Sequence, residues 1–494
     1  MKINKKLSVL LAAVVLSMSS VFTPIAPTPS VEAASTYSAM QNSINSIMAD
    51  SRMRASVSSV TVRKTNGEIV YQYYANRAVT PASSLKLLTA SSALETLGEN
   101  YRFQTNVLTN GTVSKGTLNG NLYLQGKGDP TLLKKDLDNF AAILKKRGVN
   151  TIAGHLVGDD TWFDTVRLSP GISKEDQSYY YGAQVSGLTL SPNTDYDAGS
   201  VIVEAKPTYN GRAAKIVLTP ATSIVRIVNK SKTVPKGYKN TLKIKRNYGT
   251  NVIEITGNAP IGSSGKKEWI SVSNPTAYAL DVFKRSLAEK GIKLSSASKV
   301  VRGATPKDAR VLLTKQSMPL KQLVVPFLKL SNNSHAEHLA KAMGREVYND
   351  GSWDSGLQVM RDYATSIGLD ITKWNFEDAS GMSHANKVTS SELSMLLLQV
   401  RKEPWYGTLL KGLPVAGVND RFVGGTLRYR MGGWPTKGNV IAKTGSLDNV
   451  SALAGYTQTA DKETMIFTVL TQDYKTSTVP VIDKIASAIT KSKK

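Results

Sequence analysis

The chain has 494 residues, 41% hydrophobic and 20% charged, an ordinary globular balance that excludes collagen-like and disordered chains. It contains no cysteine, which removes a disulfide framework, a thiolate zinc site and a cysteine nucleophile together. Lysine and arginine number 62 against 37 aspartates and glutamates, and the resulting net charge of +25 favours polyanionic partners.

At the N-terminus, Lys2, Lys5 and Lys6 precede a largely apolar run from Leu7 to Leu16. A proline-rich stretch follows from Thr23 to Ser30, and Val31 and Ala33 stand where a cleavage site needs small residues. This is the order of a secretory signal peptide over residues 1–33; an uncleaved anchor is the alternative. The apolar run is shorter than the about 20 residues of a comfortable membrane span. The mature chain is therefore expected outside the cytoplasm, where nucleic acid is a poor partner.

A helical stretch comes next, then a hairpin: Val60 and Val62 alternate with polar residues, Asn66-Gly67 signals a type I′ turn, and Ile69, Tyr71 and Tyr73 alternate on the return. A helix starts near Ser83, with Leu87, Ala90, Leu94 and Leu97 on one stripe and Gly98 as its stop. From Tyr101 to Pro306 short alternating runs separated by Asn, Gly, Lys and Pro turns predict a mostly β insert. Two helices interrupt it, Leu133 to Arg147 and Thr276 to Lys290. The insert divides into two expected subdomains, 101–125 with 200–306, and 126–199. Helices return after Pro319, with Thr389 and Glu392 as a capping box. Three strands (Val440–Thr444, Val450–Tyr456, Met465–Leu470) and a helix (Val481–Ile489) close the chain. Hairpins at both ends predict one discontinuous α/β domain, residues 34–100 and 307–494, whose termini share a sheet. The stripe Ile482, Ile485 and Ile489 reads as a helix covering that sheet rather than as a membrane-surface anchor.

Three short motifs carry chemistry. Ser83 and Lys86 form Ser-x-x-Lys at a helix start, where i and i+3 share a face and the amine can sit beside the hydroxyl. A serine needs its proton removed, and a lysine can do this only if burial or another cation lowers its pKa. Ser331 and Asn333 form Ser-x-Asn after the apolar run Leu323–Leu330, and Lys443-Thr444-Gly445 lies in the strand starting at Val440. Glycine there lets a substrate backbone approach the strand edge closely. Each motif alone is weak. The three in this order, on a helix start, a loop and an edge strand, are a strong constellation.

The constellation resembles the active site of penicillin-recognising serine transferases. The long interval between Ser83 and Ser331, filled by the β-rich insert, narrows the likeness to the class C low-molecular-mass penicillin-binding proteins, the D-alanyl-D-alanine carboxypeptidase/endopeptidase family. Gly126-Lys127-Gly128-Asp129-Pro130, Asp378-Ala379-Ser380-Gly381-Met382-Ser383, Leu413-Pro414-Val415-Ala416-Gly417 and Gly425-Thr426-Leu427 also fit that family. Ala379 departs from its frequent glycine. The resemblance implies a β-lactamase-like α/β (α+β) serine-transferase domain, an antiparallel sheet flanked by helices, with mostly β inserted domains. It implies that Ser83 attacks the carbonyl between two D-alanines, Lys86 takes the proton, and Ser331 relays one to the leaving amine. Asn333 would bind the substrate amide, Lys443 and Thr444 its terminal carboxylate, and the N–H groups of Ser83 and Ser446 the oxyanion, with Gly445 in the same strand. The implied partners are peptidoglycan stem peptides, β-lactam antibiotics as covalent inhibitors, and anionic cell-wall polymers, with no cofactor and no metal.

Three other activities compete: a DD-endopeptidase cutting cross-links, a β-lactamase, and a non-catalytic wall-binding protein. His335 and His338 do not complete His-Glu-x-x-His, so a metal site is not expected there. Tyr179 to Tyr181 and Asp159-Asp160 in the insert are candidates for holding the distal part of a stem peptide.

Overall fold

The two ends of the chain meet in one antiparallel sheet. Its strands lie in the order Ile69–Tyr73, Val57–Lys64, Thr464–Gln472, Val450–Gln458 and Ile441–Leu447. The computed structural model describes residues 37–494, so the expected leader over residues 1–33 lies outside the described residues. The first hairpin has the expected partners but a different turn. Gly67 takes a positive φ of 98° while Asn66 does not, and a bulge follows Val62. One left-handed residue plus a bulge does what a type I′ turn would need two to do.

Strand Val450–Gln458 is buried almost throughout instead of alternating, because both faces of the sheet are covered. Met465, Phe467 and Val469 pack with Ile482, Ile485 and Ile489 of the Val479–Lys491 helix and with Met40 and Ile44 of the Ser38–Met48 helix. The isoleucine stripe is thus core, each side chain worth about 1.5–3 kcal/mol of burial. Ile466 and Leu470 face the other way, into a helical layer. That layer is built from Lys86–Leu97, Leu320–Lys329, Asn333–Tyr348, Trp353–Ser366 and Ser390–Gln399. Thr389 caps the last of these by accepting from the Glu392 N–H (3.3 Å), but the Glu392 carboxylate accepts from Asp370 N (3.0 Å). Only half of the expected capping box forms.

The insert pairs differently from expectation. Leu122–Lys127 runs across the division placed at residue 125 and lies parallel to Leu156–Asp159. The same sheet holds Gln104–Thr109 and is closed by Arg310–Gln316, beyond the boundary placed at residue 306. Helices Lys134–Lys146 and Pro275–Glu289 pack together, with Phe140 edge-on to Phe283 at 6.5 Å. Residues 200–271 carry two further three-stranded sheets. Alternation marks a strand but not its partner, and parallel neighbours are joined by crossovers that leave no local trace.

Candidate active site

The three motifs converge where the edge strand Ile441–Leu447 passes the start of the Lys86 helix. Ser83 sits in a single 3₁₀ turn, Ala82–Leu85, that runs straight into helix Lys86–Leu97. The residue before it, Ala82, is buried and held at φ +45°, a strained conformation for a residue with a Cβ. Packing enforces it: a Cβ on Gly445 would stand 2.6 Å from the Pro81 carbonyl oxygen and 3.1 Å from the Ala82 methyl. Gly445 therefore admits the serine's own turn to the strand, where a close approach of substrate backbone had been expected.

Lys86 is fully buried, and its Nζ donates to Ser83 Oγ (2.8 Å), Asn333 Oδ1 (2.7 Å) and the Ser380 carbonyl (2.6 Å). Burial lowers its pKa to about 7, against the opposing pull of Asp378 and Glu337. Near neutrality a large fraction is the free amine. With N–H groups held by Asn333 and Ser380, the lone pair is left to Ser83.

Ser331 lies between helices Leu320–Lys329 and Asn333–Tyr348, at φ +58°. Its neighbour Asn332 caps the second helix by accepting from His335 N (3.0 Å), and Asn333 opens it. The sharp turn aims Ser331 at Lys443, whose Nζ donates to Ser331 Oγ (2.9 Å) and to the Thr444 carbonyl (2.8 Å). Burial, then the Lys86 charge, pushes the Lys443 pKa well down. The two ammonium groups oppose each other's protonation. The Thr444 hydroxyl shares a hydrogen bond with Thr426 (2.7 Å), and Ser446 is exposed at the strand's end.

Several groups around this core escaped the motifs. Glu337 accepts from Ser380 N (2.9 Å), Ala379 N (3.2 Å) and Trp353 Nε1 (2.7 Å). Asp378 accepts from Gly381 N (2.7 Å), Ser383 N (2.7 Å) and Asn386 Nδ2 (2.9 Å). The two carboxylates thus hold the loop whose Ser380 carbonyl meets Lys86. Burial, then Glu337, raises Asp378 to about 7. A Cβ on Gly381 (φ +86°) would collide with the Ala82 carbonyl, so this loop also braces the serine turn. The Asp378–Ser383 stretch was visible in sequence as a family feature, but without a role.

The insert contributes too. The Tyr181 carbonyl accepts from Asn333 Nδ2 (2.9 Å), and the Tyr181 ring stacks on Tyr179 at 5.5 Å. Asn332 Nδ2 donates to the carbonyls of Asp195 and Tyr196 and to Asp197. Asp159 and Asp160 do not join them. Asp160 is buried against Arg167 (2.7 Å) and Arg302 (2.7 Å), and Asp159 accepts from Thr161, Gln125 and Thr305 N. Their oxygens are occupied, and they serve the insert's interior. His335 and His338 are buried, which lowers them to about 3 and about 4 and keeps both rings neutral. Among the described residues no group of three or more His, Cys, Asp or Glu could hold a metal ion.

Residues 40–491 match the D-Ala-D-Ala carboxypeptidase 3 (S13) family. The chain is 38% identical over 421 residues to a D-alanyl-D-alanine carboxypeptidase of Actinomadura sp. (strain R39), covering 84% of this chain and 78% of that one. It is 28% identical over 418 residues to the D-alanyl-D-alanine carboxypeptidase DacB of Haemophilus influenzae, covering 83% and 84%. The crystal structure of penicillin binding protein 4 (dacB) from Haemophilus influenzae superposes with a TM-score of 0.78 at 25% identity, over 90% of this chain and 98% of that one. The same protein complexed with a novel β-lactam gives 0.71. With the match running through nearly every described residue, this chain belongs to the D-Ala-D-Ala carboxypeptidase 3 (S13) family of serine peptidases.

Proposed function

We propose that this enzyme hydrolyses the bond between the two terminal D-alanines of peptidoglycan stem peptides through an ester on Ser83, and that penicillins acylate the same hydroxyl. The observation that carries the reading is the buried Lys86 amine, poised near pKa 7 and bonded at once to Ser83, Asn333 and the Ser380 carbonyl.

Ser83 Oγ adds to the scissile carbonyl carbon while its proton passes to the Lys86 lone pair. The oxyanion forms opposite the N–H groups of Ser83 and Ser446, as the family resemblance places them. Collapse breaks the C–N bond, and the proton taken by Lys86 passes through Ser331 Oγ, which lies on Lys443, to the departing D-alanine amine. Water then attacks the ester, releasing the shortened peptide and restoring Ser83.

The family resemblance implies that Lys443 supplies positive charge that keeps Lys86 neutral and helps hold the terminal carboxylate. Burial opposes that charge, and the substrate's terminal carboxylate is the counter-ion that favours it. A charged Lys443 in turn disfavours protonation of Lys86. Substrate binding thereby arms the base, with Thr444 and Thr426 completing the carboxylate pocket.

The lysine-led leader and the cleavage pattern ending at Ala33 support action outside the cytoplasm. Secreted protein should begin at Ala34 by N-terminal sequencing; retention of Met1 would contradict this. Ser83→Ala should abolish labelling by a fluorescent penicillin and release of D-alanine from a pentapeptide, with circular dichroism unchanged. Undiminished labelling of a folded variant would end the assignment.

A further inference from the structure

An open cleft of about 880 Å³ lies apart from the catalytic one. It lies at the start of the edge strand, at Ile441, whereas Ser446 stands at the strand's other end, on the order of 17 Å away at the rise of a β-strand. Its floor is aromatic: Tyr406 and Tyr456 meet edge-on at 5.9 Å, and the Arg401 guanidinium lies 5.5 Å and 5.8 Å from their ring centres. Its rim is basic. Lys437, Lys462 and Lys491 come from three separate elements, the turn before the strand, the tip of the terminal hairpin and the end of the last helix. All three are exposed, and none has a carboxylate partner among the described residues. No acidic side chain lines the cleft. Beside these lysines stands Trp434, 90% exposed, although tryptophan usually buries most of its surface.

The walls are fixed. Asn439 donates to the Gln458 carbonyl (2.9 Å) and accepts from Gln458 N (2.8 Å), and the Thr457 and Thr490 hydroxyls share a bond at 3.0 Å. The cleft is thus a built recess with a polar, cationic edge and an uncovered indole.

We propose that this cleft binds a sugar-bearing phosphodiester polymer, with phosphates on Lys437, Lys462 and Lys491 and a sugar ring on Trp434. A single small anion would need donors converging on one point, whereas these cations are spread along the rim, matching charges that repeat along a chain. The indole face suits the apolar face of a sugar. The net charge, +25 for the whole sequence and +23 without residues 1–33, adds long-range attraction to the same class of ligand. The choice of a wall polymer over nucleic acid rests on the reading of the chain as an exported enzyme. A polymer held here leaves the catalytic cleft open, so the cleft tethers the enzyme without competing with stem peptides.

The test uses the whole mature chain and four probes: glucosylated poly(glycerol phosphate), the unsubstituted polymer, a neutral glucan of equal length, and an oligothymidylate of equal charge. Binding is measured across a salt series, and penicillin acylation is measured on every variant as an independent readout. The glucosylated polymer should bind best. Lys437→Gln/Lys462→Gln/Lys491→Gln should weaken both phosphate polymers by at least about tenfold and flatten the salt dependence. Trp434→Ala should reduce the glucosylated polymer to the level of the unsubstituted one, with the salt slope unchanged. Acylation should stay at the parental rate throughout. Equal weakening by Lys236→Gln/Lys239→Gln/Lys243→Gln, exposed lysines of the insert, would overturn the proposal in favour of net charge alone. So would binding of the neutral glucan or the oligothymidylate as tightly as the glucosylated polymer. Loss of acylation in the parent chain would instead strike the enzymatic reading and leave the cleft's result standing.

Discussion

The catalytic body and the insert both bury charged groups, and they do so to opposite ends. In the insert, burial would raise Asp160, but bonds from Thr276 and Arg167 and the charges of Arg167 and Arg302 outweigh it and hold the carboxyl below its ordinary range. Asp159 is held low in the same way by Thr161, Thr305 and Gln125. In the catalytic body, burial wins. Lys86 and Lys443 are pushed down, and Asp378 is pushed up to about 7. A buried group whose partners outweigh desolvation keeps its charge, whereas one for which desolvation wins can exchange a proton during a reaction. The difference separates the insert's aspartates from the two lysines beside Ser83 and Ser331 more sharply than burial itself, which is nearly complete for both.

Removing the proposed base is the strongest way to press this contrast. Lys86→Met should lower penicillin acylation by about 100- to 10,000-fold, the usual worth of a general base, while the protein stays folded. Stopped-flow acylation of the purified variant checks it, and a loss of only a few-fold would move the base elsewhere.

Glu337→Gln should be milder and more telling. The variant weakens the loop that presents the Ser380 carbonyl and removes a negative charge that raises the Lys86 pKa. Acylation should fall by about tenfold through misplacement of that loop. The acid limb of its pH profile, centred near 7 in the parent, should move to lower pH. A purely structural role would lower the rate without moving the limb.

Asp160→Asn should act on the insert instead, costing about 1.5–3 kcal/mol of stability as Arg167 and Arg302 lose their charged partner. Thermal melting reads the loss, and the acylation rate of the folded variant should match the parent. A changed rate at unchanged stability would return Asp160 to the substrate.

The smallest effect is a pH dependence of opposite sign in the two regions. Asp159 and Asp160 have lowered folded values, so their contribution is present above the ordinary carboxylate range near 4 and is lost as pH falls below it. Asp378 has a raised folded value, so its contribution is present at acid pH and lost as pH rises through about 7. Asp378→Asn should therefore flatten the decline in stability between about pH 4 and 7, and Asp160→Asn should flatten only the acid side. Chemical denaturation at several pH values distinguishes the two.

Much of this was legible in the chain itself. The spacing of Ser83 and Lys86, the strands of the terminal hairpins and the buried face of the last helix all follow from local periodicity, which a sequence displays directly. The three motifs also named the residues that the fold brings together, because their chemistry requires those side chains. Other decisions belonged to the tertiary structure. The third acceptor of Lys86 is a backbone carbonyl, at Ser380, and a carbonyl carries no residue signature. Tyr181 likewise meets Asn333 through its main chain, so its ring pointed to the place but not to the contact. Asp159 and Asp160 looked available for a peptide, and only the approach of Arg302, far along the chain, showed Asp160 to be occupied. The insert's strand partners depended on crossovers that leave no local trace. Side-chain type and period are local properties written into the sequence; which carbonyl faces an amine, and which charge finds a partner, is settled by packing between segments hundreds of residues apart.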